Sequence, residues 1–212
     1  MSRDNVSLAV VRRLPRYYRH LHELLGEGVT RISSRLLADR LGLTASQIRQ
    51  DLNCFGGFGQ QGYGYNVEKL CREIGDILGL GAGLRAVIIG MGHIGHALCN
   101  NFDFLSAGVT LVGAFDVAEG VVGSSVGGLT VLHADELETF AAQTCPEIGI
   151  LTLSRSDARA MCRRLSALPS VRGLWNFTSE DIRQERDGKP VEYVNYNDSL
   201  MTLCYRITNS RE

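Results

Sequence analysis

Three glycines after an apolar run have the spacing that the binding of a dinucleotide phosphate requires. Gly90, Gly92 and Gly95 form the pattern G-x-G-x-x-G directly after residues 85–89, which predict a buried parallel strand. The first glycine permits a sharp turn, the second lets a pyrophosphate approach the main chain, and the third lets the next helix pack closely. The amino terminus of that helix attracts phosphate through its free N–H groups. The predicted cradle comprises Gly90, Met91, Gly92, His93, Ile94 and Gly95.

A carboxylate completes this pattern at the end of the next apolar strand. Residues 109–115 predict that strand, and Asp116 follows it. Dinucleotide folds place the acidic residue that binds the adenosine ribose at about this distance from the glycines. A carboxylate there repels a 2′-phosphate, so the expected cofactor is NAD(H) and not NADP(H). The alternative is an ordinary strand–helix turn in which Asp116 is only solvated.

Two later strands end in residues that we expect to face the same cleft. Residues 147–153 and 171–177 predict these strands, and Thr152, Leu153, Asn176 and Phe177 lie near their carboxyl ends, where parallel sheets bind ligands. None of the strand ends carries a residue set that hydride or acyl chemistry uses to move protons. The sequence therefore favours a sensor of NAD(H) over an enzyme. The alternative is a small NAD-dependent oxidoreductase with an accessory helical domain.

The first third of the chain has the pattern of a helix-turn-helix. Residues 35–41 and 45–55 predict two short helices joined by a glycine turn, after a longer helix over 6–25 that either kinks or begins its regular part at Pro15. We expect a small core of Leu36, Leu37, Leu41, Leu43, Ile48 and Leu52. The outer face of the second short helix then carries Ser46, Gln47, Arg49, Gln50 and Asn53, which are types that read base edges and phosphates. The alternative is a helical domain that binds protein.

A glycine-rich segment follows the predicted recognition helix. Residues 56–65 contain glycines and aromatic residues that cannot form a helix, and they predict a hairpin, the wing of a winged helix, with Gln60, Gln61 and Gly62 at its tip. Amide side chains at such a tip can meet the acceptors of A·T pairs in a minor groove. A last helix over 67–78, capped by Asn66 or its neighbour, is expected to pack back on the core.

Charge and composition divide the chain near residues 78–83. Residues 1–80 carry 11 Lys and Arg against 8 Asp and Glu, whereas residues 81–212 carry 11 against 15. A basic front part favours a polyanion as its partner. We therefore predict a winged-helix domain over 1–80, an NAD(H)-binding domain over 84–196 and a terminal helix over 197–212.

Other features of the sequence point to no membrane or metal partner. No apolar run approaches the ~20 residues of a membrane span, and no secretion signal opens the chain, so a cytoplasmic location is expected. The six cysteines are scattered and none lies at metal-ligand spacing to another cysteine or a histidine.

Taken in order, these motifs resemble the Rex family of redox-sensing transcriptional repressors. The resemblance runs through residues 13–21, 33–52, 55–65, 77–80, 90–95, 114–116, 150–153 and 175–178. It implies an α/β fold class in which an N-terminal winged helix-turn-helix domain precedes a Rossmann-like parallel-sheet domain. It also implies a homodimer with an exchanged C-terminal helix, which binds palindromic operator DNA and releases it on binding NADH.

The resemblance also implies roles for individual residues. The resemblance implies DNA contacts for Arg13, Arg49, Gln50, Gln61 and Gly62, and it implies that Tyr196 enters the cofactor pocket of the partner subunit. The predicted DNA-binding set also includes Ser34, Thr44 and Ser46, which lie at the starts of the two short helices. Family members usually have a basic residue at Gln50 and arginine at Gln61. Arg19, Asn101 and Asn195 stand where the family has an NADH-responsive network, although tyrosine and aspartate are usual at the last two positions. An Arg19–Asn195 contact would be a hydrogen bond and not an ion pair.

Overall fold

The computed structural model describes residues 6–56, 58–60 and 63–209. The chain forms two compact units, Met1–Gly81 and Ala82–Glu212. Each unit has its own apolar core. Within the described ranges, no helix has both the length and the apolar character that crossing a membrane requires.

The described part of the first unit contains five helices and three short strands. The helices are α1 (Leu8–Val11), α2 (Leu14–Gly26), α3 (Ser34–Leu41), α4 (Ala45–Asn53) and α5 (Val67–Leu78), and the strands are β1 (Arg31–Ile32), β2 (Gly59–Gln60) and β3 (Gly64–Asn66). The predicted first helix begins its regular part at Leu14, with Pro15 in its first turn, where a missing N–H group leaves no hydrogen bond unmade.

The wing is a three-stranded antiparallel sheet in the order β1-β3-β2. The predicted hairpin corresponds to β2 and β3, whereas β1 was not predicted because two residues carry no periodic signal. Gly64 has a φ of +69°, and a Cβ there would lie 2.7 Å from the carbonyl oxygen of Ile32. Only glycine lets β3 approach β1 this closely.

Side-chain caps fix the starts of the three later helices of this unit. Ser33 caps α3, Thr44 caps α4 and Asn66 caps α5. Each side-chain oxygen accepts a hydrogen bond from the main-chain N–H group of the residue three positions later. The core prediction was wrong for Leu36, whose side chain is 58% exposed. Its neighbour Leu37 takes the inner face of α3 instead.

The second unit is a seven-stranded sheet in the order β10-β9-β8-β4-β5-β7-β6. The strands are β4 (Leu84–Ile89), β5 (Val109–Asp116), β6 (Ser125–Val126), β7 (Leu129–His133), β8 (Ile148–Leu151), β9 (Gly173–Asn176) and β10 (Val191–Tyr193). All neighbours are parallel except β6 and β7. The order reverses between β4 and β8, which is the switch point where doubly wound folds bind ligands. The predicted α/β class is therefore confirmed.

Helices cover both faces of this sheet. The helices α7 (Leu137–Thr144) and α8 (Arg155–Ala167) pack in one core and α6 (His93–Asn101) packs in the other. The last helix, α9 (Tyr196–Asn209), has no buried residue. Alternate residues of β4 enter two separate cores: Val87 and Ile89 pack in one, and Ala86 and Ile88 in the other. Burial on both faces explains the continuous apolar run of this strand.

Several predicted element boundaries of the second unit were wrong by one to three residues. The strand predicted over 147–153 is β8, at Ile148–Leu151, and the strand predicted over 171–177 is β9, at Gly173–Asn176. The terminal helix predicted from residue 197 already begins at Tyr196. The strand β6 was not predicted.

Candidate functional site

The glycine turn after β4 is shaped by close main-chain contacts. Gly90 has a φ of +98°, and a Cβ there would lie 2.6 Å from the nitrogen of Leu153. A Cβ on Gly95 would lie 2.1 Å from the carbonyl oxygen of Gly90. At Gly92, by contrast, no atom of the described residues other than its chain neighbours lies within 4 Å of the Cβ position. The fold therefore requires glycine at the first and third positions, and the space at the second is what a pyrophosphate needs.

The amino terminus of α6 opens onto this space. Gly92 is the N-cap residue and, having no side chain, makes no capping hydrogen bond to the first turn of the helix. Uncapped N–H groups and the partial positive charge of the helix end attract an anion. The turn and the helix together fit a phosphate group of a dinucleotide.

Asp116 has a structural role that the sequence motif did not reveal. Its Oδ2 accepts a hydrogen bond of 2.5 Å from the nitrogen of Met91, and its Oδ1 accepts bonds from the nitrogens of Val117 and Ala118. These contacts tie the glycine turn to the end of β5. Because a carboxylate oxygen has more than one lone pair, Asp116 can still accept bonds from ribose hydroxyls.

Thr152 supports the glycine turn from below. Its side chain is nearly buried, and Oγ1 lies 2.7 Å from the oxygen of Gly90 and 3.0 Å from that of Ile89. Its single hydroxyl proton is therefore donated to a main-chain carbonyl of the turn. Leu153 and Ser154 continue from Thr152 along the wall of the cleft.

A cleft of about 400 Å³ lies over the turn at the carboxyl ends of β4, β5 and β8. Besides the predicted residues, Val117, Ala134, Met161 and Arg164 line it. Arg164 donates to the carbonyl oxygen of Ala134 and forms a double hydrogen bond with Glu138. These hydrogen bonds lower the pKa of Glu138. Sequence reasoning missed this wall because the arginine-rich helix α8 gives no sign of which arginine faces the cleft.

Asn176 and Phe177 lie at the end of β9, outside the lining of this cleft. Asn176 is fully buried, and its side chain donates to the oxygen of Glu180 and accepts bonds from Thr178. Phe177 packs edge-on against Trp175, with ring centroids 4.5 Å apart. Asn176 thus shapes the loop after β9. A contact of either residue with a cofactor stays a prediction.

A polar face of α4 forms the candidate nucleic-acid interface. Ser46, Arg49 and Gln50 are exposed there, as predicted for a recognition helix. Arg49 donates a hydrogen bond of 3.1 Å to the hydroxyl of Ser34 at the start of α3. Thr44, which caps α4, is also exposed. Thr44 and Ser46 thus lie at the start of this helix, Arg49 lies in its middle in contact with Ser34, and Gln50 is the residue after Arg49.

The predicted wing tip, Gln61 and Gly62, lies outside the described residues. At the base of the wing, Arg31 lies over the ring of Tyr63, 6.0 Å from its centroid, and donates to the main-chain oxygen of that residue. Arg31 is an exposed cation beside the wing that sequence reasoning did not single out.

Arg13 has a different environment from the other implied DNA-binding residues. Its Nε and Nη2 donate to Asp51 over 2.6 and 2.7 Å, and the same carboxylate accepts bonds from Tyr17 and Gln47. The bond to Asp51 raises the pKa of Arg13, and burial followed by the same carboxylate raises the pKa of Tyr17. Burial alone would raise the pKa of Asp51, but the bonds from Arg13, Tyr17 and Gln47 outweigh it and lower that pKa.

Comparison with known proteins connects both sites to one family. A family model described as "Putative DNA-binding protein N-terminus" matches residues 5–53, and another described as "CoA binding domain" matches residues 84–180. The redox-sensing transcriptional repressor Rex of Caldicellulosiruptor saccharolyticus is 44% identical over 97% of this chain and 93% of its own. Its counterpart from Clostridium novyi is 45% identical over 95% of both chains. This chain belongs to the Rex family of redox-sensing transcriptional repressors.

Solved structures of the Rex family have the same fold. The Rex-family repressor RSP in complex with NAD+ and operator DNA has a TM-score of 0.90 and 44% identity, over 96% of this chain and 93% of RSP. RSP in complex with NADH has a TM-score of 0.88 and 41% identity, over 96% and 95% of the two chains. The resemblance that the sequence motifs suggested is thereby confirmed.

The three residues that the resemblance implies in an NADH-responsive network lie in different units. Arg19 is exposed on α2 of the first unit. In the second unit, Asn101 ends α6 and donates to the oxygen of Ala97, while Asn195 accepts a hydrogen bond from the nitrogen of Asn197 and so caps α9. Each amide has a local role, and a joint role with Arg19 stays a prediction.

The terminal helix α9 has no buried residue. Its large apolar side chains are all at least half exposed: Tyr196, Leu200, Met201, Leu203, Tyr205 and Ile207. Single exposed apolar residues are ordinary, but a whole apolar helix face of this size marks an interaction surface.

Proposed function

We propose that this chain is the subunit of a homodimeric repressor that binds palindromic operator DNA and releases it when NADH is bound. The observation that carries the proposal is one chain with both an exposed polar recognition helix and an uncapped glycine turn beside Asp116. The relatives support it, because they are named redox-sensing repressors and RSP binds NAD+, NADH and operator DNA. A repressor acts where the operator DNA lies, so we propose a cytoplasmic location for the protein.

In this proposal the second unit, over residues 84–196, holds NAD(H) as a signal and not as a reagent. The uncapped start of α6 and the open space at Gly92 would hold the pyrophosphate, and Asp116 would accept the ribose hydroxyls. The adenine end would lie by Val117 and Arg164, while Asn176 and Phe177 would close the nicotinamide end. The Rex family consists of repressors, so we assign no enzymatic activity to the chain.

The first unit, over residues 1–80, would carry the DNA contacts. Ser46, Arg49 and Gln50 would enter a major groove with Thr44 and Ser34 near the flanking phosphates. Gln61 and Gly62 at the wing tip would reach the adjacent minor groove. Because neutral Gln50 and Gln61 stand where the family usually has cations, we expect a smaller dependence of affinity on salt than a more basic face would give.

The helix α9 would be exchanged between the subunits. Burial of its exposed apolar face in the partner would stabilise the dimer and bring Tyr196 to the partner's cofactor pocket. The dimer would change its spacing between recognition helices when NADH is bound, through Arg19, Asn101 and Asn195. This coupling requires that NADH bind the DNA-free form more tightly than the DNA-bound form.

A fluorescence anisotropy titration tests the proposal. The purified chain is titrated onto the operator duplex that RSP binds, at fixed salt, with NADH, NAD+, coenzyme A or no addition. We expect NADH to weaken operator binding about 5- to 150-fold, which corresponds to a coupling of ~1–3 kcal/mol. Coenzyme A is the control because one family model of this region is named for it. An equal effect of NADH and NAD+ would refute redox sensing. A response only to coenzyme A would mean that coenzyme A, and not NADH, is the signal.

A further inference from the structure

The recognition helix α4 has a buried carboxylate on the side opposite to its exposed polar face. Asp51 is 1% exposed, whereas Ser46, Arg49 and Gln50 are exposed on the same helix. A buried charge must be paired and hydrogen-bonded to be tolerated. The groups that satisfy it therefore tell where α4 is attached to the rest of the unit.

Four hydrogen bonds reach this carboxylate from two helices. Arg13 supplies two bonds of 2.6 and 2.7 Å from the start of α2, and Tyr17, one turn later, supplies a third of 2.6 Å. Gln47 supplies the fourth, of 2.8 Å, from one turn earlier on α4. On each helix the two residues involved are four positions apart and therefore lie on the same helix face. Arg13 and Tyr17 thus face Asp51 together, and Gln47 lies beside Asp51 on α4. We call Arg13, Tyr17, Gln47 and Asp51 the buried clasp.

The geometry of the clasp restricts both the rotation and the axial position of α4. The pair of parallel hydrogen bonds from the planar guanidinium fixes the plane of the Asp51 carboxylate. The separate hydrogen bonds from Tyr17 and Gln47 could not do so alone. Rotating α4 would break these bonds and leave a charge buried without its partner. Arg49 and Gln50 are therefore presented to solvent in one orientation that the clasp sets.

The same contacts keep Nε and Nη2 of Arg13, whose side chain is 29% exposed, from binding a DNA phosphate as a pair. Its Nε and one terminal nitrogen are used by Asp51, and withdrawing them would unpair a buried carboxylate. We propose that Arg13 is a positioning residue that orients the recognition helix through Asp51, and not a residue that contacts DNA. This inference rests on the proposed function in operator binding.

A salt titration separates the two roles. Each phosphate contact made by a cation contributes about one unit to the slope of log affinity against log salt, whereas orienting another helix contributes none. We expect Arg13→Gln to lower the affinity for the RSP operator duplex at least about 10-fold, with the slope unchanged between 50 and 200 mM salt. The same substitution at Arg72, an exposed residue that forms a surface ion pair with Glu68, is the control and should change affinity less than about 2-fold.

Arg13→Lys provides a variant that keeps the charge and is expected to fold. A lysine can still bind a phosphate, but it cannot form the two parallel hydrogen bonds to Asp51. We expect its operator affinity to fall by at least about half of the logarithmic loss seen in Arg13→Gln. If Arg13→Lys binds as tightly as the wild type, the positioning role is wrong. Circular dichroism and NADH binding by the second unit confirm that each variant is folded.

A double-mutant cycle with Asp51→Asn gives an independent result. If Arg13 acts only through Asp51, adding Arg13→Gln to Asp51→Asn should lower operator affinity less than about 2-fold further. A full additional loss together with a slope lower by about one would overturn the inference and restore Arg13 as a phosphate contact. If the wild-type chain itself binds no operator, the proposed function fails instead. The two failures are thus distinguishable.

Discussion

The two sites of the chain are built from different parts of the polypeptide. In the first unit, side chains of α4 form the exposed face, and the buried clasp holds that helix through a charged side-chain network. In the second unit, the cleft is made mostly by main chain: two glycines packed against carbonyl and amide groups, an uncapped helix end, and Asp116 bound to main-chain nitrogens. The first site is therefore held in place mainly by charged side-chain contacts, whereas the second is shaped mainly by close main-chain packing.

This difference separates the conditions that disturb each site. Salt and pH act on exposed and paired charges, so they should change DNA binding and the stability of the first unit. Main-chain hydrogen bonds and close glycine contacts do not titrate, so the glycine turn should respond to pH less than the first unit does, and the Arg164–Glu138 pair is a titrating contact on the cleft wall. The only tryptophan, Trp175, lies in the second unit, and its fluorescence therefore reports unfolding of that unit alone.

The largest effect is expected at the closely packed glycine turn of the second unit. Gly95→Ala places a Cβ 2.1 Å from the oxygen of Gly90, so either α6 or the glycine turn must shift. We expect the free energy of unfolding of the second unit to fall by about 3 kcal/mol or more, with loss of NADH binding. Denaturant unfolding followed by Trp175 fluorescence measures the first effect, and calorimetric titration measures the second.

Gly92→Ala is the matched control for this prediction. No atom lies within 4 Å of its Cβ position and its φ is −74°, so the fold accommodates the methyl group. We expect a stability change of less than about 0.5 kcal/mol but weaker NADH binding, because the methyl group occupies the space of the pyrophosphate. Equal destabilisation by both substitutions would show that close packing at Gly95 does not set the difference.

The second prediction concerns charge in the buried clasp. Because the pKa of Asp51 is lowered in the folded state, its stabilisation is complete above the ordinary aspartate pKa of about 3.9 and is lost as the pH falls through the folded value. Asp51→Asn should therefore cost the first unit about 2 kcal/mol at pH 7 and reduce its loss of stability below about pH 4. Far-UV circular dichroism, with the Trp175 signal as reference for the second unit, measures both. Identical pH profiles of variant and wild type would contradict the assignment.

The sequence predicted the main-chain site better than the side-chain site, for a physical reason. The glycine spacing is a local signal, because Gly90 and Gly95 contact each other across a single turn, and it predicted the glycine turn and the α/β fold. The clasp joins Arg13 to Asp51 across 38 positions, and no local pattern encodes that pairing. For the same reason Arg164 was missed: its place on the cleft wall depends on how α8 packs against the loop at Ala134.

The smallest effect is expected at the helix caps, where it distinguishes a structural from an interfacial residue within one unit. Thr44 and Asn66 each cap a helix through one side-chain bond, of 3.1 and 2.8 Å. Replacing either by alanine should cost the first unit about 1 kcal/mol. Only Thr44 stands at the start of the recognition helix, so Thr44→Ala should also weaken operator binding, whereas Asn66→Ala should leave it within about 2-fold of the wild type. Chemical unfolding by circular dichroism and operator anisotropy on the same samples measure both quantities. A parallel loss of affinity in the two variants would mean that operator binding follows the overall stability of the unit, and the distinction between scaffold and interface at these caps would not hold.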